Sequence, residues 1–205
     1  MKKLIALLFI SFSTGLFAQS VTIGTQVWMT KNLDVSRFRN GDLISEAKTY
    51  EEWVKAGENK QPVWCYFDND PANGKKFGRC YNWYAVNDAR GLSPAGWHIP
   101  SDEDWSILVQ YLGGDLVAGK KMKSNIGWNG NGNGTNESGF SGLPGGLGFY
   151  DTPFLYLGEL GYWWSSSLDR DFGYPRIYVL SSEDSHAGSG FLPPMCGLYV
   201  RCLKD

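Results

Sequence analysis

Hard oxygen donors crowd one short run, Asp68-Asn-Asp-Pro-Ala-Asn-Gly74, and calcium is the ion that takes such donors from a tight loop. Asp68, Asp70 and Asn73 are the candidate ligands. The run departs from the EF-hand template: Ala72 fills the fifth position, Gly74 comes one place late, and Arg79 stands where a bidentate Glu belongs. Asp-Pro and Asn-Gly also make turns with nothing bound, so a plain turn is the first expectation and a calcium site the second. A later run, Trp128-Asn-Gly-Asn-Gly-Asn-Gly-Thr-Asn-Glu137, carries amide oxygens, a carboxylate and an indole. Trp128 could stack on a sugar ring while Asn133, Asn136 and Glu137 hold its hydroxyls or a calcium ion. A loop so rich in glycine also needs an anchor in the core, and Trp128 is first expected to be that anchor.

The chain carries no complete catalytic constellation of a familiar kind. Ser165, Ser166 and Ser167 lack the G-x-S-x-G elbow, and Gly119-Lys120 lacks the glycines of a phosphate-cradling loop. Gly130, Gly132 and Gly134 follow no strand. The chain has two histidines: His98 is expected to be a structural hydrogen-bonding group, and His186 falls in a polar run expected in solvent. Asp102 and Glu103 open a helix, where negative charge favours the helix dipole. The expectation is a non-enzyme, with no cofactor beyond the calcium option.

Cys65, Cys80, Cys196 and Cys202 form an even set with no C-x-x-C, and two histidines are too few for a zinc finger or ribbon. In an oxidising compartment such a set permits two disulfides with three connectivities. Bridges from Cys65 and Cys80 to Cys196 and Cys202 are favoured, because the last two would share one face of a strand. That compartment is implied by the start of the chain. Met1-Lys2-Lys3 precedes an apolar stretch, Leu4 to Phe12, too short to span a bilayer, and Ala18 is a small residue before a cut. Residues 1–18 therefore read as a signal peptide cleaved between Ala18 and Gln19. Residues 19–205 read as one secreted domain, periplasmic or extracellular. No cysteine near the cut offers a lipid anchor, and no later stretch is long and apolar enough for a membrane span. The 205 residues carry 19 basic and 21 acidic side chains, net −2, which argues against nucleic acid as a partner.

These residues must be positioned by elements the chain can form. With 26 glycines and 15% aromatic residues, a loop-rich domain fits and a helical bundle does not. Val21 to Met29 alternates as a strand. Thr49-Tyr-Glu-Glu52 is a capping box for a short helix through Trp53 and Val54, halted at Gly57. Ser101-Asp-Glu-Asp104 opens a second helix with Trp105, Leu108, Val109 and Leu112 on one face, stopped at Gly113. Residues 127–148 read as a long irregular loop. Tyr162 to Ser166, Arg176 to Leu180 and Leu198 to Leu203 read as strands. Trp163 and Trp164, as strand neighbours, should face opposite sides, one of them the core. Early helices, a long loop and late strands make an α+β class.

Val27-Trp28-Met29, Asn32-Leu33, Asn69 to Gly74, Tyr81 to Val86, Gly96 to Ser101, Thr135 to Phe140, Leu143 to Gly146, Trp164 to Ser166 and Val200 to Asp205 occur in an order that resembles the Fibrobacter succinogenes major paralogous domain family. The resemblance covers residues 21–205. It implies a C-type-lectin-like fold: short helices, small antiparallel sheets, paired first and last strands, and long irregular loops on one side. It further suggests the nested disulfides Cys65–Cys202 and Cys80–Cys196. The same fold serves formylglycine-generating sulfatase modifiers, but the residues around Cys196 and Cys202 do not match their copper-binding motif, so such an enzyme ranks last. The Glu-Pro-Asn and Gln-Pro-Asp tripeptides of sugar-binding C-type lectins are missing. The expected function is a secreted module that binds a glycan or a protein surface. The alternative is a purely structural cell-surface or adhesion component with no small-ligand site.

Overall fold

The computed structural model describes residues 19–148 and 154–205, and the expected signal peptide, residues 1–18, lies outside them. The alternating run from Val21 is a hairpin and not one strand. Its arms are β1 (Ser20–Ile23) and β2 (Gln26–Met29). Gly24, at a φ of +62°, turns the chain in two residues so that Ile23 pairs with Gln26. After β3 (Ser45–Glu46), α1 (Tyr50–Glu58) starts at Thr49, whose hydroxyl accepts from Glu52 N. The Glu52 carboxylate accepts from Lys48 N, one residue before the cap, and the helix ends one residue past Gly57.

Next come β4 (Val63–Cys65), α2 (Pro71–Phe77), β5 (Cys80–Tyr81) and α3 (Trp83–Val86). The Asp68 to Gly74 run is thus more than a turn. Asp70 caps α2 and Pro71 takes its first position, where a missing N–H costs nothing. Then follow β6 (Trp97–His98), α4 (Asp102–Tyr111) and α5 (Asp115–Met122). The expected box at Ser101 closes in both directions: its hydroxyl accepts from Asp104 N, and the Asp104 carboxylate accepts from Ser101 N. Trp105, Leu108, Val109 and Leu112 are all buried, as their spacing predicts.

The rest of the chain forms β7 (Leu147–Gly148), β8 (Phe154–Leu155), β9 (Leu160–Leu168), β10 (Pro175–Ser181), β11 (Ala187–Phe191) and β12 (Leu203–Lys204). The sheets are small and mostly antiparallel: β1-β2-β12-β6, β11-β10-β9, β3-β4-β5 and β7-β8. The class is α+β. Leu203 lies between Trp28 and His98, so the end of the chain is clamped onto the N-terminal hairpin, through β2. Of the expected strand Leu198 to Leu203, Leu203 pairs within β12 and the part before it survives as isolated bridges, Leu198 to Tyr81 and Tyr199 to Trp163. Cys196 and Cys202 therefore do not share a strand face.

Trp163 and Trp164 do point to opposite sides of β9, and both are fully buried. Trp163 joins Trp28, Trp105, Phe140 and Tyr178, while Trp164 joins Tyr81, Leu198, Val200 and Cys202. The strand is covered on both faces, so its alternation separates two cores and not core from solvent. Against one of these cores α5 presses so closely that a Cβ on Gly119 would stand 2.0 Å from the His186 carbonyl oxygen. Backbone on both sides leaves little room to yield. Gly119→Ala is expected to cost about 1–3 kcal/mol, read as a lower thermal midpoint by circular dichroism. An unchanged midpoint would contradict this packing.

Candidate functional site

The structure separates the residues that the sequence singles out. Asp70 Oδ1 accepts from Ala72 N at 2.8 Å, and Asn73 Nδ2 donates to Phe67 O at 3.1 Å, so both serve the start of α2. Asp68 is exposed, at a φ of +55°. Among the described residues no group of three or more His, Cys, Asp or Glu side chains is placed to hold a metal ion. In the glycine-rich loop, Trp128 is the anchor: it is buried, and Nε1 donates to Ser124 Oγ and Gly142 O. Asn133 Oδ1 accepts from Trp128 N. Asn136 brackets Ser141, accepting from its backbone N–H and donating to its hydroxyl. Glu137 is exposed beside Lys120 and Lys121, in a different depression from Asn136. The four do not converge. His98 makes a hydrogen-bonding contact, its Nδ1 lying 2.8 Å from Asp205 Oδ1.

The expected disulfides are not formed: all four cysteines are buried and none is bridged. The nested pairing also fails on register, since Cys65 lies directly opposite Cys80 across β4 and β5. Cys196 and Cys202 belong to the other core. Burial, with Cys80 alongside, pushes the Cys65 thiol well up, and burial pushes Cys202 up to about 12. Thiolate is the reactive form. A maleimide at neutral pH should therefore leave the folded protein unlabelled and label all four cysteines after denaturation, as intact mass would show. Fewer than four labels on the denatured chain would contradict the absence of bridges.

A cavity of about 490 Å³ lies elsewhere, at the seam where the two ends of the domain meet. Met29 N donates to Cys202 O and Leu33 N donates to Val200 O, so the chain leaving β2 runs beside the segment entering β12. This places Arg201 on the cavity floor. Its Nη1 donates to Met29 O and Phe140 O; Nε and Nη2 both donate to Asn32 Oδ1, at 3.1 and 2.8 Å. The guanidinium stacks over Phe140 at 4.4 Å. Trp163 Nε1 donates to the same Asn32 oxygen, and Asn32 Nδ2 donates to Phe77 O at the end of α2. One amide thus ties together the N-terminal segment, α2, β9 and the C-terminus.

The electrostatics of this cavity are one-sided. Arg201 is 1% exposed and forms no ion pair among the described residues, whereas Arg79, Arg90 and Arg176 each meet a carboxylate. Burial pulls the Arg201 guanidinium down to about 9, which still leaves it charged at neutral pH. Lys31, Lys75 and Lys76 stand exposed around the opening. Asp34 is the carboxylate in the lining, and it is paired with Arg79. Asn125 is exposed on the rim and its side chain makes no hydrogen bond among the described residues. A wider depression near α4 contrasts with this: there Arg176 sits between Asp102 and Asp169 at 3.2 Å each.

Of the residues expected from sequence, Asn136 alone lines this cavity. Asn32, Arg201 and the three lysines are not signalled by spacing, although an arginine inside the apolar run Tyr199-Val-Arg-Cys-Leu203 is a signal in itself. Among the described residues no helix is long and apolar enough to cross a membrane.

Comparison with known proteins adds a family. No curated protein and no solved structure matches the chain. The family model of the Fibrobacter succinogenes major domain matches residues 21–204, from the N-terminal hairpin through β12. By that match, which takes in both strands that close the domain and every residue of the cavity but Gln19, the chain belongs to the Fibrobacter succinogenes major domain family.

Proposed function

We propose that this protein is an exported, non-catalytic binding module on a C-type-lectin-like frame, and that its ligand site is the cavity floored by Arg201. The observation that carries the reading is a polar cavity of about 490 Å³ whose floor holds a buried cation without a carboxylate partner. That volume lies in the range of small-molecule sites. The closure of the last strand on the N-terminal hairpin supports the lectin-like frame. Export is supported by the charged and apolar start of the chain and by Ala18. Cleavage there leaves Gln19 first, at the cavity edge, where its carbonyl accepts from Thr30 N and Oγ1.

A second reading, a structural cell-surface or adhesion component, has one observation in its favour. The Asn-Gly loop turns its aromatic and two of its amides inward, to hold itself together. A glycan array separates the two. Binding that disappears in Asn125→Trp, which fills the rim from an exposed position, supports the cavity. No binding from protein shown to be folded shifts the weight to the structural role.

A further inference from the structure

A buried guanidinium without a counter-charge costs several kcal/mol unless other groups compensate it. At Arg201 the compensation is neutral: two carbonyls and one amide oxygen, which accept from four of its five N–H groups. The remaining Nη2 proton has no acceptor among the described residues. The other partly buried arginines of this chain receive an aspartate of their own, Asp34 for Arg79, Asp88 for Arg90 and Asp102 with Asp169 for Arg176. Position 32 is where a carboxylate would neutralise Arg201, and it holds asparagine. Lys31 and Lys75 add positive charge at the mouth with no ion pair among the described residues, and concave walls focus that field. The missing negative charge is one that can enter from solvent.

We propose that the cavity selects a small anionic, hydroxyl-bearing ligand, a sugar acid, whose carboxylate is held by Arg201 and the rim lysines and whose hydroxyls meet the unengaged Asn125 amide. This rests on the cavity being the binding site, as proposed above. The carboxylate takes the free Nη2 proton and leaves the four existing bonds in place. Charge-assisted bonds of this kind are the stronger class, and the guanidinium is built for carboxylate geometry. A neutral sugar would leave the guanidinium uncompensated and gain only the amide contacts.

The test is calorimetric titration of the full chain at neutral pH and fixed ionic strength with glucuronate, glucose and sulfate. Glucuronate should bind at least about tenfold more tightly than glucose, and the double variant Lys31→Gln/Lys75→Gln should weaken it about tenfold with an unchanged thermal midpoint. Both lysines are exposed, so the variant keeps its fold. Glucose binding as tightly as glucuronate would overturn the anion inference and leave the cavity a binding site. Sulfate matching glucuronate would overturn the sugar-acid assignment, since the hydroxyls would then contribute nothing. No heat from either sugar with folded protein would overturn this inference and the cavity reading together.

Discussion

Trp105→Ala is expected to cost about 3–5 kcal/mol of stability, the range for removing a fully buried aromatic, and to lower the thermal midpoint by roughly 6–20 °C in a domain of this size. Trp105 is 0% exposed at the point where α4 meets the main core. Its ring lies 4.9 Å from Trp28, 4.8 Å from Tyr178 in a stacked arrangement, and 5.8 Å from Phe140. Alanine would leave a void among large, rigid neighbours that cannot collapse into it. Trp105→Phe is the control. The indole Nε1 of Trp105 is buried without a hydrogen-bond partner among the described residues, so phenylalanine gives up no bond seen there and loses only part of the ring. Its cost should be near 1–2 kcal/mol, about what modest large-to-small core changes bring. Equal losses for Ala and Phe would mean that the indole N–H carries the stability, contrary to the structure.

Asn32→Asp is expected to weaken glucuronate binding at least about tenfold while the domain stays folded. The substitution is isosteric. It sets a carboxylate where Oδ1 now accepts from Nε and Nη2 of Arg201, and so supplies internally the charge that the ligand would bring. The variant replaces the Nδ2 that donates to Phe77 O with a carboxylate oxygen that cannot donate, which costs about 1–3 kcal/mol, and the charge-assisted bonds to Arg201 offset it by about 1.5–3 kcal/mol. The thermal midpoint should therefore change little, while the anion response falls. Undiminished glucuronate binding in Asn32→Asp would remove Arg201 from the site.

The parts of this structure that sequence makes legible are those set by neighbours along the chain. The Ser101 box and the Trp105, Leu108, Val109, Leu112 stripe specify α4 within one turn at either end. Trp128 as a loop anchor follows from its being the large apolar residue among glycines and asparagines. Local signals are ambiguous where one residue serves two motifs. Asp70-Pro71 signals a turn and also a helix start, and the helix α2 is what forms. Gly24 interrupts an otherwise even alternation, and one glycine with positive φ converts a strand into a hairpin. Non-local geometry is beyond spacing altogether. Cys65 meets Cys80 because β4 and β5 are in a register that no cysteine count encodes. Asn32 and Arg201 are 169 residues apart, and their contact exists because the last strand docks on β2. The family resemblance does anticipate that docking. It says nothing of the uncompensated charge that the docking buries.

The Arg201 cavity, the proposed ligand site, has an internal reporter. Trp163 Nε1 donates to the same Asn32 oxygen that holds the guanidinium, while Trp105 Nε1 has no partner among the described residues. In a ¹⁵N-labelled sample titrated with glucuronate, the Trp163 indole N–H and the Asn125 side-chain amide should shift together and saturate, and the Trp105 indole should stay in place. Saturable shifts confined to Glu137 and its neighbours, or no saturable shift at Trp163 and Asn125, would contradict the account.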